Sequence, residues 1–269
     1  VNLEDLDKEM SYLNEKGFNT DLLKISDKVH IIKPEHKEED LFKYTKSQGS
    51  TGKGIAPCSR DKYARLGLRL KDIIDDTNYF KNLKYFDIDK HIMKDELYGN
   101  LLCEGAQGFW LDIDQGNYPF VTSSITLPYS ACSLGFPPQK IRNIYGAAKI
   151  YDTRVGVDPL FSEELLKDEN LSNIAKIGNE FGTTTGRLRK VNWLDLDKLI
   201  EAINISGTTH VIISKIDVLE IINKFKLKGG LEFNNIADMK SYINDKINNN
   251  CHLVQKIIYS DSPKSIKFI

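Results

Sequence analysis

The run Val-Ile-Ile-Ser at residues 211–214 constrains the fold of this chain more than any other segment. Its three β-branched residues are typical of a buried strand. Helical patterns precede it at residues 194–203 and follow it at residues 236–247, and a further strand is predicted over residues 253–259. Strands that alternate with helices form a mostly parallel sheet with helices on both faces. The sequence therefore predicts an α/β fold, in which ligands bind at the carboxyl ends of the strands.

Upstream of this region the patterns predict mostly helices and loops. The predicted helices cover residues 4–16 (ended by Gly17), 33–46, 61–94 and 142–150. The predicted strands cover residues 29–32 and 101–103, and a loop rich in glycine and serine covers residues 47–60. Downstream of the β-branched run, the asparagines at residues 248–250 predict a turn. With 269 residues, the chain can form one large α/β domain or two smaller ones. We expect a single domain over residues 1–269.

The composition argues against several classes of protein. The net charge of -1 provides no basic field for nucleic acid or an anionic membrane. No apolar run approaches the ~20 residues that span a bilayer. The cysteines at positions 58, 103, 132 and 251 are scattered without CxxC spacing, so the sequence supports neither a disulfide framework nor a zinc site. These features favour a reduced, cytoplasmic setting.

The segment Gly-Ser-Thr-Gly-Lys-Gly at residues 49–54 is a candidate phosphate-binding loop. It is not a Walker A sequence, because only two residues separate its first two glycines and a glycine follows Lys53. Flexible glycines still allow backbone amides and the Thr51 hydroxyl to converge on phosphate oxygens. An ordinary turn is the alternative.

The segment from Cys103 to Ser124 combines small, hydroxyl and carboxylate residues. The amide of Gln107 could bind a purine edge or a ribose, or it could be buried and satisfied within the protein. Thr122 could bind phosphate or sugar, or it could stabilise a turn. If Asp112 and Asp114 lie on an extended segment, they share one face. They could then bind a metal, although a solvated turn is the simpler interpretation.

Two later segments carry groups suited to anions and to guanine. Arg187 and Arg189 follow three consecutive threonines, a combination suited to bidentate recognition of a carboxylate or a phosphate. Asp217 could accept hydrogen bonds from N1 and N2 of guanine while the stem of Lys215 stacks on the ring. The same tetrapeptide, residues 214–217, could instead begin a helix. None of the five histidines lies in these segments, and we assign none of them a catalytic role.

Five segments, taken in order, resemble the adenylosuccinate synthetase family. They are residues 49–65, 104–124, 153–156, 178–195 and 214–219, which are similar to the family patterns GTTGRGIGP…DK.AR.G, EGAQG..LDID.G.YP.VTSS, TRVG, GNEFG.TTGR.R..GWLD and TKLDVL. The resemblance implies an α/β fold related to P-loop NTPases. It also implies a ligase reaction in which IMP, L-aspartate and GTP give adenylosuccinate, GDP and phosphate with Mg²⁺.

The resemblance further implies which residues bind each ligand. The nucleotide substrate would be bound by Thr51, Arg65, Gln107, Thr122 and Arg187, with Arg65 reaching the neighbouring subunit of a homodimer. L-aspartate would be bound by Thr183, Thr184, Thr185, Gly186, Arg187 and Arg189. GTP would be bound by Arg189, Lys215, Ile216, Asp217, Ser260, Asp261 and Ser262.

The catalytic groups of the family lie in a portion that would precede Val1. That portion carries a glycine-rich loop with an aspartate base, and a segment with a catalytic histidine. We therefore expect no catalytic residue and no metal ligand in this chain. The run from Arg187 to Arg189 also has one arginine fewer than is usual in the family, because Leu188 separates the two.

Two alternatives to the IMP-dependent ligase stay open at this point. The short segment after Asp217 is typical of archaeal members of the family, and also of phage enzymes that make 2-aminoadenylosuccinate from dGMP, L-aspartate and ATP. The chain could also be a purine-nucleotide-binding remnant that performs no chemistry.

Overall fold

The structure, a computed structural model, describes residues 1–73, 75, 99–135, 137–182 and 186–262. The chain divides into two compact units, residues 1–140 and residues 141–269. Within the described ranges, no helix is both long enough and apolar enough to cross a membrane.

The first unit is built from helices and turns. Its α-helices are α1 (Leu3–Glu15), α2 (Pro34–Glu39), α3 (Thr45–Gln48) and α4 (Ile55–Ala64), and a π-helix (Asp40–Tyr44) joins α2 to α3. Short 3-10 helices are Leu70–Asp72, Phe109–Leu111, Pro128–Leu134 and Pro138–Lys140. The Asn2 side chain caps α1 by accepting from the backbone N–H of Asp5 at 2.8 Å.

The predicted helices over residues 4–16 and 33–46 are confirmed, the second with a π-helical turn in its middle. The predicted strand over residues 29–32 is wrong, because only one bridge forms there, between His30 and Arg69. The loop predicted over residues 47–60 is shorter than expected, since its last residues belong to α4. Of the helices predicted over residues 61–94, residues 61–64 complete α4 and residues 70–72 form a 3-10 helix, whereas residues 65–69 are not helical. Residue 74 and residues 76–94 lie outside the described residues.

The strand predicted over residues 101–103 is also wrong. These residues form no strand, and the Leu102 side chain is 85% exposed. A run of three residues cannot form a buried strand without hydrogen-bonded neighbours, and no pairing with another described segment includes it.

The second unit contains a parallel sheet with helices packed against it, which confirms the predicted fold class. Its strands are β1 (Tyr145–Lys149), β2 (Tyr151–Arg154), β3 (Lys190–Trp193), β4 (His210–Ser214) and β5 (Lys256–Tyr259). Its α-helices are α5 (Glu169–Ile177), α6 (Leu196–Ser206), α7 (Ile216–Ile222) and α8 (Ile236–Asn250), and a 3-10 helix covers Glu163–Lys167. The three parallel strands have the order β1-β4-β5, while β2 and β3 form an antiparallel pair.

The core of this unit lies between the sheet and its helices. Ile213 on β4 is fully buried, as are Met239, Ile243 and Ile247 on α8. Their spacing of four residues places these three side chains on one face of the helix. The apolar residues whose periodicity predicts this helix are therefore the residues that it buries in the core of the unit.

Several predicted elements of the second unit need correction. The helix predicted over residues 142–150 is wrong, because residues 145–149 form β1, which pairs in parallel with β4 along its length. Gly146 permits this approach, since a Cβ there would lie 2.9 Å from the Thr208 side chain. The asparagines at residues 248–250 belong to α8 rather than to a turn. The helix predicted over residues 194–203 and the strand predicted over residues 253–259 are confirmed, with later starts at Leu196 and Lys256.

Candidate functional site

The carboxyl edge of the parallel sheet gathers residues that the sequence marks for guanine binding. β4 ends at Ser214, and Lys215 follows in left-handed backbone with φ +67°. Asp217 lies half-buried in the first turn of α7. β5 ends beside them, where the backbone N–H of Ile216 donates to the carbonyl of Ser260 at 3.4 Å. This is the edge at which parallel sheets bind ligands.

The residues at this edge differ in their exposure to solvent. Ile216 is fully buried, and its backbone N–H already donates to the carbonyl of Ser260. Ser260 is 8% exposed, and its hydroxyl donates to the carbonyl of Ser262 at 3.0 Å. Asp261 is exposed between them. The last residues, 263–269, lie outside the described residues.

The loop predicted to bind aspartate is closed by backbone hydrogen bonds. Gly182 donates to the carbonyl of Arg187 at 2.8 Å, and Gly186, with φ +62°, donates to the carbonyl of Gly182 at 2.7 Å. The Arg187 side chain is exposed. The predicted ligands Thr183, Thr184 and Thr185 lie outside the described residues.

Glu180 is a buried carboxylate that binds three donors beside this loop. It is 2% exposed, and its Oε2 accepts from Lys149 Nζ at 2.6 Å and from Arg189 Nη1 at 3.1 Å. Its Oε1 accepts from the hydroxyl of Tyr151 at 2.8 Å. Burial by itself would raise the pKa of Glu180, but the hydrogen bonds from Lys149 and Tyr151 outweigh it and hold the pKa below its usual range.

The turn before Glu180 also holds the lysine at the end of β4. Lys215 Nζ donates to the carbonyl of Gly178 at 2.8 Å. The edge therefore collects the cations Lys149, Arg189 and Lys215 with the carboxylates Glu180 and Asp217. Counted with the exposed Asp261, the carboxylates equal the cations in number. Because Glu180 is buried while the three cations are only partly buried, the cluster still presents donors to an anionic ligand.

In the first unit, the glycine-rich loop leads into α4. Gly49, Gly52 and Gly54 all have positive φ, between 69° and 78°. The backbone N–H of Gly54 donates to Asp40 Oδ2 at 2.7 Å, and Asp40 is only 1% exposed. Thr51 is exposed at the outside of the loop. The buried carboxylate thus fixes the base of the loop and leaves the Thr51 hydroxyl open to a ligand.

A buried histidine joins the helices on either side of this loop. His36, 3% exposed, accepts from the backbone N–H of Lys33 at its Nδ1 (3.1 Å), so in the neutral ring Nε2 carries the proton. That nitrogen lies 3.0 Å from Asp61 Oδ2 on α4. The hydrogen bond from His36, followed by the one from Arg60, lowers the pKa of Asp61. His36 therefore has a structural role, which no feature of the sequence indicated.

The other residues predicted to bind the nucleotide in this unit are accessible to a ligand. Gln107 is exposed with φ +66°. The alternative of a buried Gln107, hydrogen-bonded within the protein, is therefore wrong. Thr122 is half-buried, and its backbone N–H donates to the carbonyl of Leu111 at 2.8 Å. Arg65 ends α4 in left-handed backbone with φ +63°, and it is exposed.

Asp112 is a buried structural carboxylate that organises a turn, and Asp114 is exposed in that turn. Asp112 is fully buried, and its Oδ1 accepts from the backbone N–H groups of Asp114 (2.9 Å) and Gln115 (3.1 Å). Its Oδ2 accepts from the backbone N–H of Thr126 at 2.6 Å. Burial would raise the pKa of Asp112, but these hydrogen bonds outweigh it and lower the pKa.

Comparison with known proteins decides the family. The family model described as adenylosuccinate synthetase matches residues 1–98 and residues 77–258. The chain belongs to the adenylosuccinate synthetase family. The resemblance that five short segments indicated is therefore confirmed over most of the chain.

Curated adenylosuccinate synthetases match the chain at about one third identity. The protein of Lysinibacillus sphaericus is 33% identical, over 98% of this chain and 70% of its own length. The protein of Thermodesulfovibrio yellowstonii is 37% identical, over 85% of this chain and 63% of its own. The protein of Geobacillus kaustophilus is 36% identical, over 81% of this chain and 61% of its own. The chain thus spans between 61% and 70% of the length of these three relatives.

Two solved structures share the fold of this adenylosuccinate synthetase family member. The fully ligated adenylosuccinate synthetase of Plasmodium falciparum has a TM-score of 0.71 and 30% identity, over 81% of this chain and 60% of its own. The succinoaminodeoxyadenylate synthetase of a cyanophage, bound to dGMP and to dATP as an energy donor, has a TM-score of 0.69. It covers 98% of this chain and 72% of its own at 18% identity, which shows the fold alone.

The described residues contain no set of side chains that could bind the Mg²⁺ implied by the adenylosuccinate synthetase family. No group of three or more histidine, cysteine, aspartate or glutamate side chains there could hold a metal ion. Asp112, a possible metal ligand from its sequence position, already accepts hydrogen bonds from three backbone N–H groups.

Sequence reasoning missed the centre of the cationic cluster in this family member. Glu180, Lys149 and Tyr151 were not singled out, although Glu180 lies within the segment that carries the resemblance. Lys149 and Glu180 are 31 residues apart, and they meet because the turn at residues 178–180 packs against Tyr151. Lys149 is the last residue of β1, and a correct strand prediction would have placed it at the carboxyl edge of the sheet. Residues 142–150 were instead predicted to be helical.

Proposed function

We propose that the protein is a ligase that joins L-aspartate to IMP with hydrolysis of GTP, which gives adenylosuccinate, GDP and phosphate. Membership of the adenylosuccinate synthetase family supports the reaction class. The observation that carries the proposal is the cationic cluster at the carboxyl edge of the sheet, where Arg189 and Lys215 are held by the turn that contains Glu180.

This cluster suits the proposed reaction because all three reactants are anions. Fixed cations stabilise charge as it moves from the triphosphate to the purine oxygen and then to phosphate. Arg187 and Arg189 offer planar donors for the carboxylates of aspartate. Asp217 offers an acceptor for N1 and N2 of guanine, beside the stem of Lys215.

The nucleotide substrate would be bound by Thr51, Arg65, Gln107, Thr122 and Arg187. Four of these five residues are exposed to solvent, and Thr122 is half-buried. In the proposal, Arg65 reaches the site of the neighbouring subunit in a homodimer. Its exposed position at the end of α4 supports that role.

A second candidate is the ligase that uses dGMP, L-aspartate and ATP. The fold likeness to the cyanophage enzyme bound to dGMP and dATP, which extends over 98% of this chain, motivates it. Asp217 favours the first candidate, because a carboxylate pairs with the two N–H groups of guanine and would repel the acceptor N1 of adenine.

The experiment is phosphate release by the purified native protein with L-aspartate and Mg²⁺, in a matrix of IMP or dGMP against GTP or ATP. The proposal expects release with IMP and GTP that stops when any one reactant is omitted. Turnover only with dGMP and ATP would replace it with the second candidate. Nucleotide binding without aspartate-dependent turnover in any combination would indicate a non-catalytic binding protein.

A further inference from the structure

We propose that Glu180 is a positioning residue that holds Lys149 and Arg189 as a fixed pair of cations for the anionic cosubstrates. This inference rests on the proposed ligase function, and it adds Lys149 to the groups that contact the triphosphate or aspartate. Glu180 is not itself a catalytic residue, because it acts through the two cations.

The geometry of Glu180 differs from that of an ordinary surface ion pair. Its carboxylate is 2% exposed, whereas the side chains of Lys149 and Arg189 are 23% and 28% exposed. Both cations bond to the same oxygen, Oε2, at 2.6 Å and 3.1 Å, and Tyr151 occupies Oε1 at 2.8 Å. The carboxylate therefore faces the protein, while the two cations keep surface that a ligand can reach.

The backbone around Glu180 ties the same turn to the rest of the cationic cluster. The backbone N–H of Arg189 donates to the carbonyl of Glu180 at 3.0 Å, and Lys215 Nζ donates to the carbonyl of Gly178 at 2.8 Å. Gly178 is buried, and a Cβ at this position would collide with the hydroxyl of Tyr151. The three cations at the edge thus depend on one short turn, residues 178–180.

Electrostatics explains why the pair needs a buried carboxylate. Two cations that share one oxygen would repel each other without it. With Glu180 ionised, the trio keeps a net charge of one positive unit, and Arg189 retains N–H groups beyond the one that Nη1 gives to Glu180. The low pKa of Glu180 keeps it ionised at neutral pH. A ligand then meets donors that are already oriented, which lowers the entropy cost of binding.

The test is Glu180→Gln in the native protein, with separate KM values for L-aspartate, GTP and IMP. The substitution keeps the size of the side chain and one acceptor but removes the charge. We expect the KM for L-aspartate and for GTP to rise about 10- to 100-fold, while the KM for IMP changes less than about threefold. A purely structural role would change all three together with thermal stability.

Asp158→Asn is the matched control. Asp158 is also a buried carboxylate of the second unit, 7% exposed, and it pairs with Arg154 at 3.1 Å. We expect no split between the three KM values in this variant. An equal change of all three KM values in Glu180→Gln, or the same split in Asp158→Asn, would overturn the proposal.

Lys149→Met keeps the proposal testable if Glu180→Gln does not fold. It leaves Glu180 paired with Arg189 and removes only the second cation, so a raised KM for GTP or L-aspartate is expected. Unchanged KM values in a folded Lys149→Met protein would overturn the assignment. Absence of turnover in the wild type would instead contradict the proposed function, which distinguishes the two failures.

Discussion

At the scale of single residues, buried carboxylates organise the segments that carry the family's sequence patterns. Asp40 binds the base of the glycine-rich loop, Asp112 binds three backbone N–H groups, and Glu180 binds two cations and a tyrosine. Each is at most 2% exposed. Burial of a carboxylate is costly unless it is hydrogen-bonded. Removal of such a carboxylate in turn leaves its buried donors without an acceptor.

Asp112→Ala should therefore lower the free energy of unfolding of the first unit. Three backbone N–H groups would lose their acceptor, at about 1–3 kcal/mol each before relaxation or entry of water. We expect a loss of about 3 kcal/mol in urea denaturation. In a Trp193→Phe background, Trp110 is the single remaining tryptophan and reports on this unit.

Asp114→Ala is the control for this prediction. Asp114 is exposed, and its bond to Asp112 uses only its backbone N–H. We expect a change within about 0.5 kcal/mol. An equal loss of unfolding free energy in Asp112→Ala and Asp114→Ala would contradict a specific role of the Asp112 carboxylate in stabilising the turn.

At the scale of elements, Asp152 links the antiparallel pair of strands to α6. It lies on β2, and its Oδ2 accepts from the backbone N–H of Asp195, the residue that caps α6. Burial raises the pKa of Asp152 to about 6, although the bond from Asp195 opposes the rise. This carboxyl binds its proton more tightly in the folded protein than in the unfolded chain.

The contribution of Asp152 to stability is therefore largest below about pH 4 and declines as the pH rises to about 6. Asp152→Asn removes this dependence and keeps an acceptor for Asp195. We expect the variant to gain about 1–3 kcal/mol of unfolding free energy relative to the wild type between pH 4 and pH 6.5. Urea denaturation at matched pH values measures the difference. A constant difference across that range would contradict the raised pKa.

Asp217, in the first turn of α7, sets the expected preference for guanine. Asp217→Asn replaces a carboxylate acceptor by an amide, which can accept one of the two guanine N–H groups and can donate to adenine. Loss of a charge-assisted hydrogen bond costs about 1.5–3 kcal/mol. We expect the ratio of kcat/KM for GTP over ATP to fall about tenfold or more. Glu220→Gln, an exposed position on the same helix, should leave the ratio unchanged.

The elements that the sequence predicted well are those whose own pattern decides their structure. α8 has an apolar repeat of four residues, and β4 has three consecutive β-branched residues, so local information is sufficient. β1 was missed because Gly146, Ala147 and Ala148 have no strand pattern, and pairing with β4 decides their structure. Glu180 was missed for a related reason, since its contact with Lys149 forms only when the turn at residues 178–180 packs against Tyr151.

At the scale of the whole molecule, the family and the fold are established, while the substrates are proposed. The two compact units each carry part of the predicted set of ligand-binding residues. The expectation of one domain over residues 1–269 stays a prediction, as do the homodimer and the cytoplasmic setting. Because the chain spans 61–70% of the length of the three relatives described above, activity is to be measured on the native protein.

Transfer of the purine 6-oxygen tests the central claim most directly. In the proposed reaction GTP phosphorylates that oxygen, and L-aspartate then displaces it as phosphate. IMP labelled with ¹⁸O at position 6 is incubated with the native protein, L-aspartate, GTP and Mg²⁺, and the phosphate is analysed by mass spectrometry. The account predicts one ¹⁸O in each phosphate released, with equal formation of adenylosuccinate. Unlabelled phosphate, with the label retained in IMP, would indicate simple GTP hydrolysis and contradict the account.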